Sequence, residues 1–502
     1  MERGFKVFCI NTEYCLSEFM VEKPKSLEGI SVRKDENFSE WYTHVVLKAG
    51  LADYGPVQGT MAIRPTAYEI WEMVQEAFNR MIKSTGHKNA YFPLLIPESF
   101  LTKEAEHFEG FTPEVFWVTH SGNSKLGEQL AVRPTSETII YSFYSKWIRS
   151  WRDLPLMLNQ WCSVLRAEIK ATKPFLRTSE FLWQEGHTAH STKEEADKEV
   201  MMILDFYKEI AEQYLAIPVL QGMKSEREKF AGALYTTTIE ALMPDGKAVQ
   251  CGTSHNLGQH FAKAFGIEFL DEQGQKQFVW QTSWGISTRL LGALIMLHGD
   301  DKGLVIPPKV APVQLMIVPI YKDAEKAEVL KASTGILNGL RSAGFRVDVD
   351  ERENRTPGWK FNEHETKGVP MRIEIGPKDI ASETVVLVRR DTSEKRSVRI
   401  SELNSFVKEE IVKMQNDMFE KAKKFLDENI RIAESYDEFK DILDSKKGFI
   451  KAGWCGKDSC EDKIKEETGA TSRVIPFEHE DAKSCVYCGE KAKSVAYFAL
   501  SY

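Results

Sequence analysis

Apolar positions recur at helical spacing between residues 64 and 86, where Ala67, Ile70, Trp71, Val74, Phe78, Met81 and Ile82 share one face. Pro65 falls in the first turn, where its missing N–H costs no hydrogen bond, and Gly86 ends the helix. An apolar strand is predicted over Ala90–Ile96. Thr192-x-x-Glu195 has the pattern of a capping box and predicts a long helix from there to about Ala216. Thr236–Met243 and Lys247–Cys251 flank Pro-Asp-Gly, which predicts a hairpin. Short antiparallel strands around a few helices predict an α+β domain that ends near Leu304.

The pattern changes after Pro307-Pro308 and Pro312. Strands over Val313–Pro319, Phe345–Val349 and Pro370–Ile375 alternate with helices over Asp323–Ser342 and Lys360–Lys367. Such alternation predicts a small α/β domain with a mostly parallel sheet. The expected organisation is an unassigned lead-in at 1–36, a first domain at 37–306, the α/β domain at 307–400, a charged linking helix at 401–429, and a small α+β domain at 430–502. Repeats and low-complexity segments are absent from the sequence.

Composition narrows the picture modestly. A chain of 502 residues is too long for one core, so about three domains are expected. Hydrophobic content of 42% and charged content of 28% are those of an ordinary soluble protein. No apolar run reaches the ~18 residues of a membrane span. Phe5–Ile10 is too short for a signal peptide and is followed by Glu13, so a cytoplasmic protein is expected. The net charge of −8 means that nucleic-acid binding would use local basic patches rather than a global field.

Three segments carry the chemistry: Arg166-Ala-Glu168 with its return run Phe175–Glu180, then Gln250–His255, then Ser283–Arg289. Arginine offers a planar, permanent fork for phosphate or carboxylate. Surface ion pairs are the alternative reading of Arg166, Glu168, Arg177 and Arg289. Against it, the segments adjoin apolar, strand-like stretches (Val164-Leu165, Phe181-Leu182), where unpaired charge is costly. His187 and His255 read equally as ligand contacts or as satisfied core residues.

Of eight cysteines, Cys9, Cys15, Cys162 and Cys251 are scattered; the other four form Cys455-x4-Cys460-x24-Cys485-x2-Cys488. Two close thiol pairs, with Gly456 and Gly489 directly after ligands, suit one structural zinc, and a closed four-thiolate set leaves no catalytic position. Reduced buried cysteines are the alternative. The stretch Asp350–Phe361 mixes Arg, Lys and aromatics, as single-stranded RNA recognition does, or is an ordinary solvated loop.

These segments resemble a known family. Arg166-x-Glu168 is similar to motif 2 of the class II aminoacyl-tRNA synthetases, Ser283–Arg289 to motif 3, and Gly86–Pro93 to motif 1, which ends in a proline at the dimer interface. Arg133-Pro-Thr-Ser-Glu-Thr138, Phe181–His187, Tyr235–Thr238 and Gly358–Asn362 resemble the prolyl-tRNA synthetases of archaeal and eukaryotic type, and the likeness runs from about Asn37 to Tyr502. The resemblance implies a class II antiparallel-sheet catalytic domain, an anticodon-binding α/β domain and a zinc-containing C-terminal domain, in a homodimer. It implies an enzyme that joins proline to ATP, with Mg²⁺ bridging the phosphates, and passes the prolyl group to tRNA(Pro).

By the same resemblance Arg166 and Arg289 hold the α- and γ-phosphates as the catalytic pair. Glu168 and Thr178 lie near the adenine amine, Gln250 and Ser287 support ribose and phosphate, and Arg177 and Thr253 also fall to ATP. Proline falls to Thr135, Glu137, Arg166, Trp183, Glu185, His187, His255 and Ser283; the anticodon falls to Arg352, Glu353, Lys360, Glu365 and Lys367. The chain ends Phe498-Ala-Leu-Ser-Tyr502, and similar family members tuck a terminal Tyr toward the active site, the alternative being a frayed tail. Cys251 stands where eukaryotic relatives are expected to carry glycine. No long insertion separates motifs 2 and 3, so self-editing is not expected. A pocket of this size discriminates a methylene by only ~1–3 kcal/mol, so some activation of cysteine or alanine is expected. The rivals are a synthetase for threonine or serine and a synthetase-like RNA-binding subunit without chemistry; retention of Arg166, Glu168 and Arg289 speaks against the latter.

Overall fold

The computed structural model describes residues 29–105, 114–169 and 172–502. The signal-peptide reading, Cys9 and Cys15 lie outside the described residues. Helix Pro65–Ser84 forms as the periodicity requires, with Ala67, Ile70, Trp71, Val74, Phe78 and Ile82 buried in the main core. Helix Lys193–Glu209 starts at a reciprocal Thr192–Glu195 capping box and runs into a π-helical turn at Ile210–Tyr214. Strands Tyr235–Leu242 and Ala248–Gly258 pair antiparallel, and Gly246 at their turn takes a φ of +80° that favours glycine.

That hairpin lies inside one antiparallel sheet. Its order is Leu220–Met223, Tyr235–Leu242, Ala248–Gly258, Trp280–Ser287, Glu180–His190 and Leu156–Leu165, with the short strand Lys88–Asn89 at the edge. The predicted strand over Ala90–Ile96 is not continuous. Lys88–Asn89 pairs with Leu158–Asn159, and only Leu95–Pro97 rejoins a sheet, against Ser124–Val132. Pro93 has no N–H to give a ladder. Its neighbours are held by side chains instead: the Phe92 amide donates to Gln160 (2.6 Å), and Arg133 donates to the Phe92 carbonyl (2.9 Å).

The α/β region has the strand order Val347–Val349, Leu315–Pro319, Met371–Ile375, Thr384–Arg389, Lys395–Arg399. The first three strands are parallel, as expected. The last two form an antiparallel hairpin, because the few residues between them leave no room for a crossover, so the sheet is mixed rather than mostly parallel. Helix Leu403–Glu428 leads on to strands Ile430–Ala433, Phe449–Trp454, Thr471–Pro476 and Ser494–Ala499. These extend the first sheet: Ile475 and Pro476 pair with Met223 and Gly222, giving a continuous sheet of 11 strands. The junction is fastened by a buried ion cluster in which Lys224 (2.7 Å) and Arg473 (2.9 Å) both meet Glu240. Among the described residues, no helix is long and apolar enough to cross a membrane.

Candidate active site

The pleat of the central sheet builds a cavity of about 260 Å³. Period-2 alternation turns Phe181, Trp183, Glu185 and His187 of one strand to the same face. Cross-strand register then sets His187 opposite Ser283, Ser283 opposite His255, and His255 opposite Thr236, one row across four strands. The next row aligns Glu185, Gly285 and Thr253. Gly186 lies between Glu185 and His187 because Trp284 passes beneath it: a Cβ there would meet the indole at 2.1 Å.

Arg166 and Arg289 both line the cavity, from different elements. Arg166 follows strand Leu156–Leu165, its Nε donates to the Pro134 carbonyl (3.3 Å), and its guanidinium lies over Phe181 and Trp183. Arg289 opens helix Arg289–His298, with its Nε on the Leu176 carbonyl (3.2 Å). Burial works against both charges, and the positive field of Arg166 further disfavours that of Arg289. Among the described residues neither guanidinium has a carboxylate within ion-pair distance. Two half-buried cations without a direct ion-pair partner, both lining one cavity, form an anion site.

The rest of the lining is polar, with its charges internally paired. Glu185 accepts from Ser136, Gln160 (2.9 Å), Cys162 (3.3 Å) and His187 (3.1 Å). Burial pushes its carboxyl up, but these donors more than offset that and hold it below the usual value. His187 is pushed down by burial and raised by Glu185 and Glu137, with a net rise, so the two form a charged pair. Although Glu137, Glu185 and His187 lie close enough to share a cation, the saturation of Glu185 by donors fits a fixed acceptor rather than a metal ligand. Glu137 accepts from Thr135. Burial and the nearby His187 lower His255 to about 3, so it is neutral; its Nδ1 lies 2.9 Å from the Thr236 hydroxyl. Ser283 Oγ is buried without a hydrogen-bond partner, an open position for a polar ligand group. Cys251 is buried and its thiol is raised to about 12, so it is an inert part of the wall.

Thr135, Glu137, Arg166, Trp183, Glu185, His187, Gln250, Thr253, His255, Ser283, Ser287 and Arg289 therefore line one cavity. Glu168 and Arg177 are exposed on the adjoining loop, and Thr178 is buried beside it with its hydroxyl unpartnered; none of the three lines the cavity. Sequence reasoning missed Phe181, which alternation with Trp183 could have revealed. It also missed Glu228, Lys229 and Phe230, which come from a loop with no periodic signal. Tyr502 lies beneath the loop that follows Glu168. Its hydroxyl donates to Asp245 (2.6 Å), and Lys173 and Lys247 each sit 5.0 Å from its ring.

Two further clusters lie apart. Cys455, Cys460, Cys485 and Cys488 bring four Sγ atoms together, with Cys455 at 3.5 Å from Cys460 and 3.8 Å from Cys488. A tetrahedral zinc with ~2.3 Å bonds spaces its sulfurs by about 3.8 Å. In the α/β region, Arg352 is held by Asp350 and Glu363, Lys367 by Glu363 (2.9 Å), Glu365 by Arg372 (3.0 Å), and exposed Glu353 by Lys326 (2.7 Å). Lys360 is buried, its ammonium on the Asp350 carbonyl (2.8 Å). Arg355 lies 4.4 Å from the ring of Trp359.

Known proteins resemble this chain in sequence and fold. Residues 116–298 match the family model of the tRNA synthetase class II core domain (G, H, P, S and T), residues 314–410 the anticodon binding domain, and residues 436–502 the prolyl-tRNA synthetase C-terminal domain. A proline--tRNA ligase of Natranaerobius thermophilus is 58% identical over 93% of this chain and 97% of its own. One from Cenarchaeum symbiosum is 54% identical over 94% and 99%. The crystal structure of prolyl-tRNA synthetase from Cryptosporidium parvum complexed with halofuginone and AMPPNP superposes with a TM-score of 0.91 at 46% identity, over 95% of this chain and 100% of that one.

Proposed function

The chain belongs to the prolyl-tRNA synthetases, and from that premise we propose how its residues divide the work of a proline--tRNA ligase. Arg166 and Arg289 take the triphosphate, with Glu168, Arg177 and Thr178 on the base side and Gln250, Thr253 and Ser287 along ribose and phosphates. Mg²⁺ arrives with the nucleotide as part of the substrate. Proline sits over Trp183, its ammonium toward Thr135 and Glu137, with Ser283 and His255 closing the far side. Glu185 and His187 hold that wall in place. The proline carboxylate attacks the α-phosphorus in line, displacing pyrophosphate; the 3′-terminal adenosine of tRNA(Pro) then takes the prolyl group and releases AMP. No side chain acts as nucleophile. Catalysis is positioning plus neutralisation of phosphate charge.

The observation that carries this reading is the pair of half-buried guanidiniums, neither in an ion pair among the described residues, that line one cavity. The test is ATP–pyrophosphate exchange across the standard amino acids without tRNA. Proline should give the strongest signal, with weaker signals from cysteine and alanine. Silence from both would remove the proposed misactivation, and a stronger amino acid than proline would overturn the pocket.

Four further proposals attach. The domains divide at 37–306, 307–400, 401–429 and 430–502, with 1–36 a lead-in. The four cysteines hold a structural zinc, which the sulfur spacing supports. Anticodon contacts come from Arg352, Glu353, Glu365, Lys367 and the Arg355–Trp359 face; buried Lys360 instead braces Asp350. The enzyme works as a cytoplasmic homodimer that does not edit its own product.

A further inference from the structure

We propose that Ser225 and Glu461 form a latch through which the C-terminal region sets the affinity of the pocket for its amino acid. The proposal rests on reading the His255 end of the cavity as the amino-acid end. Glu228, Lys229 and Phe230 reach that end from the loop between strands Leu220–Met223 and Tyr235–Leu242. No strand pairing holds residues 225–230; they are closed on Ser225. Its carbonyl accepts from the Glu228 (3.2 Å) and Lys229 (3.0 Å) amides, and its hydroxyl accepts from the Glu228 amide (3.2 Å). The same hydroxyl spends its only proton on Glu461, 2.8 Å away on helix Asp458–Thr468. Both residues are buried, at 1% and 2% exposure.

The same helix grips the turn twice more, through Asp462 to Arg227 (2.9 Å) and Lys465 to Glu228 (3.7 Å). At its far end the turn delivers Phe230 against the His255 ring, at 4.9 Å between centroids. The Phe230 amide donates to the Thr236 hydroxyl (3.0 Å), which also meets His255 Nδ1. A continuous path thus runs from a helix outside the catalytic region, through one serine hydroxyl, to the row of side chains on the pocket floor. The path ends on Thr236 and His255, on the amino-acid side of this reading, and among the described residues no hydrogen bond or ion pair joins it to Arg166 or Arg289. Ser225 and Glu461 are positioning residues, since neither lines the cavity.

The test uses the full-length enzyme and proline-dependent ATP–pyrophosphate exchange. Ser225→Ala and Glu461→Ala each leave a buried partner unsatisfied and should raise KM for proline about tenfold, with kcat and KM for ATP changed less than about twofold. Ser225→Thr keeps the hydroxyl and Glu461→Gln keeps an acceptor, so both should restore KM. The double variant should be no worse than the worse single one, as two ends of one contact require. Hydrogen–deuterium exchange should speed up at the amides of residues 226–230 and nowhere else. A fall in kcat or an equal rise in KM for ATP would overturn the latch, as would faster exchange spread over the whole chain. Wild-type exchange driven by another amino acid would instead overturn the proline reading, and the latch would be judged on that amino acid's KM.

Discussion

Arg166 and Arg289 illustrate how much a single side chain can commit to one task. Desolvation disfavours each charge and, among the described residues, neither makes an ion pair, so the free enzyme bears a cost that a triphosphate removes. Arg166→Ala or Arg289→Ala should each lower the rate of pyrophosphate exchange by at least ~10²–10³-fold, the cost of removing one preorganised charge-stabilising donor. Thermal unfolding should stay near wild type, which separates lost chemistry from lost fold. Unaltered exchange in either variant would remove it from the site. His255 makes a different prediction. Its folded value lies near 3 against the ordinary 6.5, because burial refuses the proton. The unfolded chain takes up that proton below about pH 6.5 and the folded one does not, so stability should fall as pH drops from 6.5 toward 3, by a few kcal/mol at most. Stability measured against pH should show a shallower slope in His255→Gln across that window. Both arginines and this histidine were legible as candidates from residue type and neighbours. What could not be read was that Glu168 and Arg177 turn outward while Phe181 turns in, since side-chain direction at a loop boundary is set by packing.

At the level of elements, legibility followed the strength of the local signal. The helix Pro65–Ser84 and the Thr192–Glu195 box were readable because a long apolar stripe and a reciprocal cap each fix a helix without help from elsewhere. Residues 90–94 look equally apolar, yet they form no ladder, because Pro93 lacks a donor and the Gln160 and Arg133 side chains satisfy the backbone first. Joining the C-terminal strands to the catalytic sheet depends on Ile475 meeting Met223 more than 250 residues away in sequence, which no local pattern encodes. The four-cysteine cluster is the opposite case: its spacing alone announces the ligand set, and the folded sulfurs fit one tetrahedral ion. The purified chain should hold about one zinc, and Cys485→Ser should release it and lower the unfolding temperature by several degrees. Elemental analysis showing no zinc in the wild type would overturn the site. Because helix Asp458–Thr468 carries both Cys460 and Glu461, zinc loss should also weaken proline binding more than ATP binding.

For the whole molecule, the decisive feature is what stays uncovered in one chain. Tyr91 is 70% exposed, Trp147 47% and Trp117 42%, beside the partly exposed Leu94 and Leu95. Leu95 and Trp117 belong to strands that both pair with Ser124–Val132, Trp147 packs on Phe92 at 5.8 Å, and Arg133 lies over the Tyr91 ring at 5.5 Å, so these groups share one surface. An aromatic and leucine patch of this kind is seldom left to water, and in the proposed homodimer a second copy related by a two-fold axis would cover it with itself. The patch is also wired to the pocket: the Phe92 amide donates to Gln160, whose side-chain nitrogen donates to Glu185. Dimerisation should therefore matter to chemistry as well as to solubility. Tyr91→Asp and Trp117→Asp place a charge in the covered surface, where it cannot be paired, and should shift the solution mass measured by light scattering from two chains to one at micromolar concentration. Pyrophosphate exchange should fall in the same concentration range in which the dimer dissociates, because Gln160 then loses its fixed partner. A wild-type chain that remains a monomer at these concentrations, or a dissociated variant with full activity, would break the link between interface and pocket.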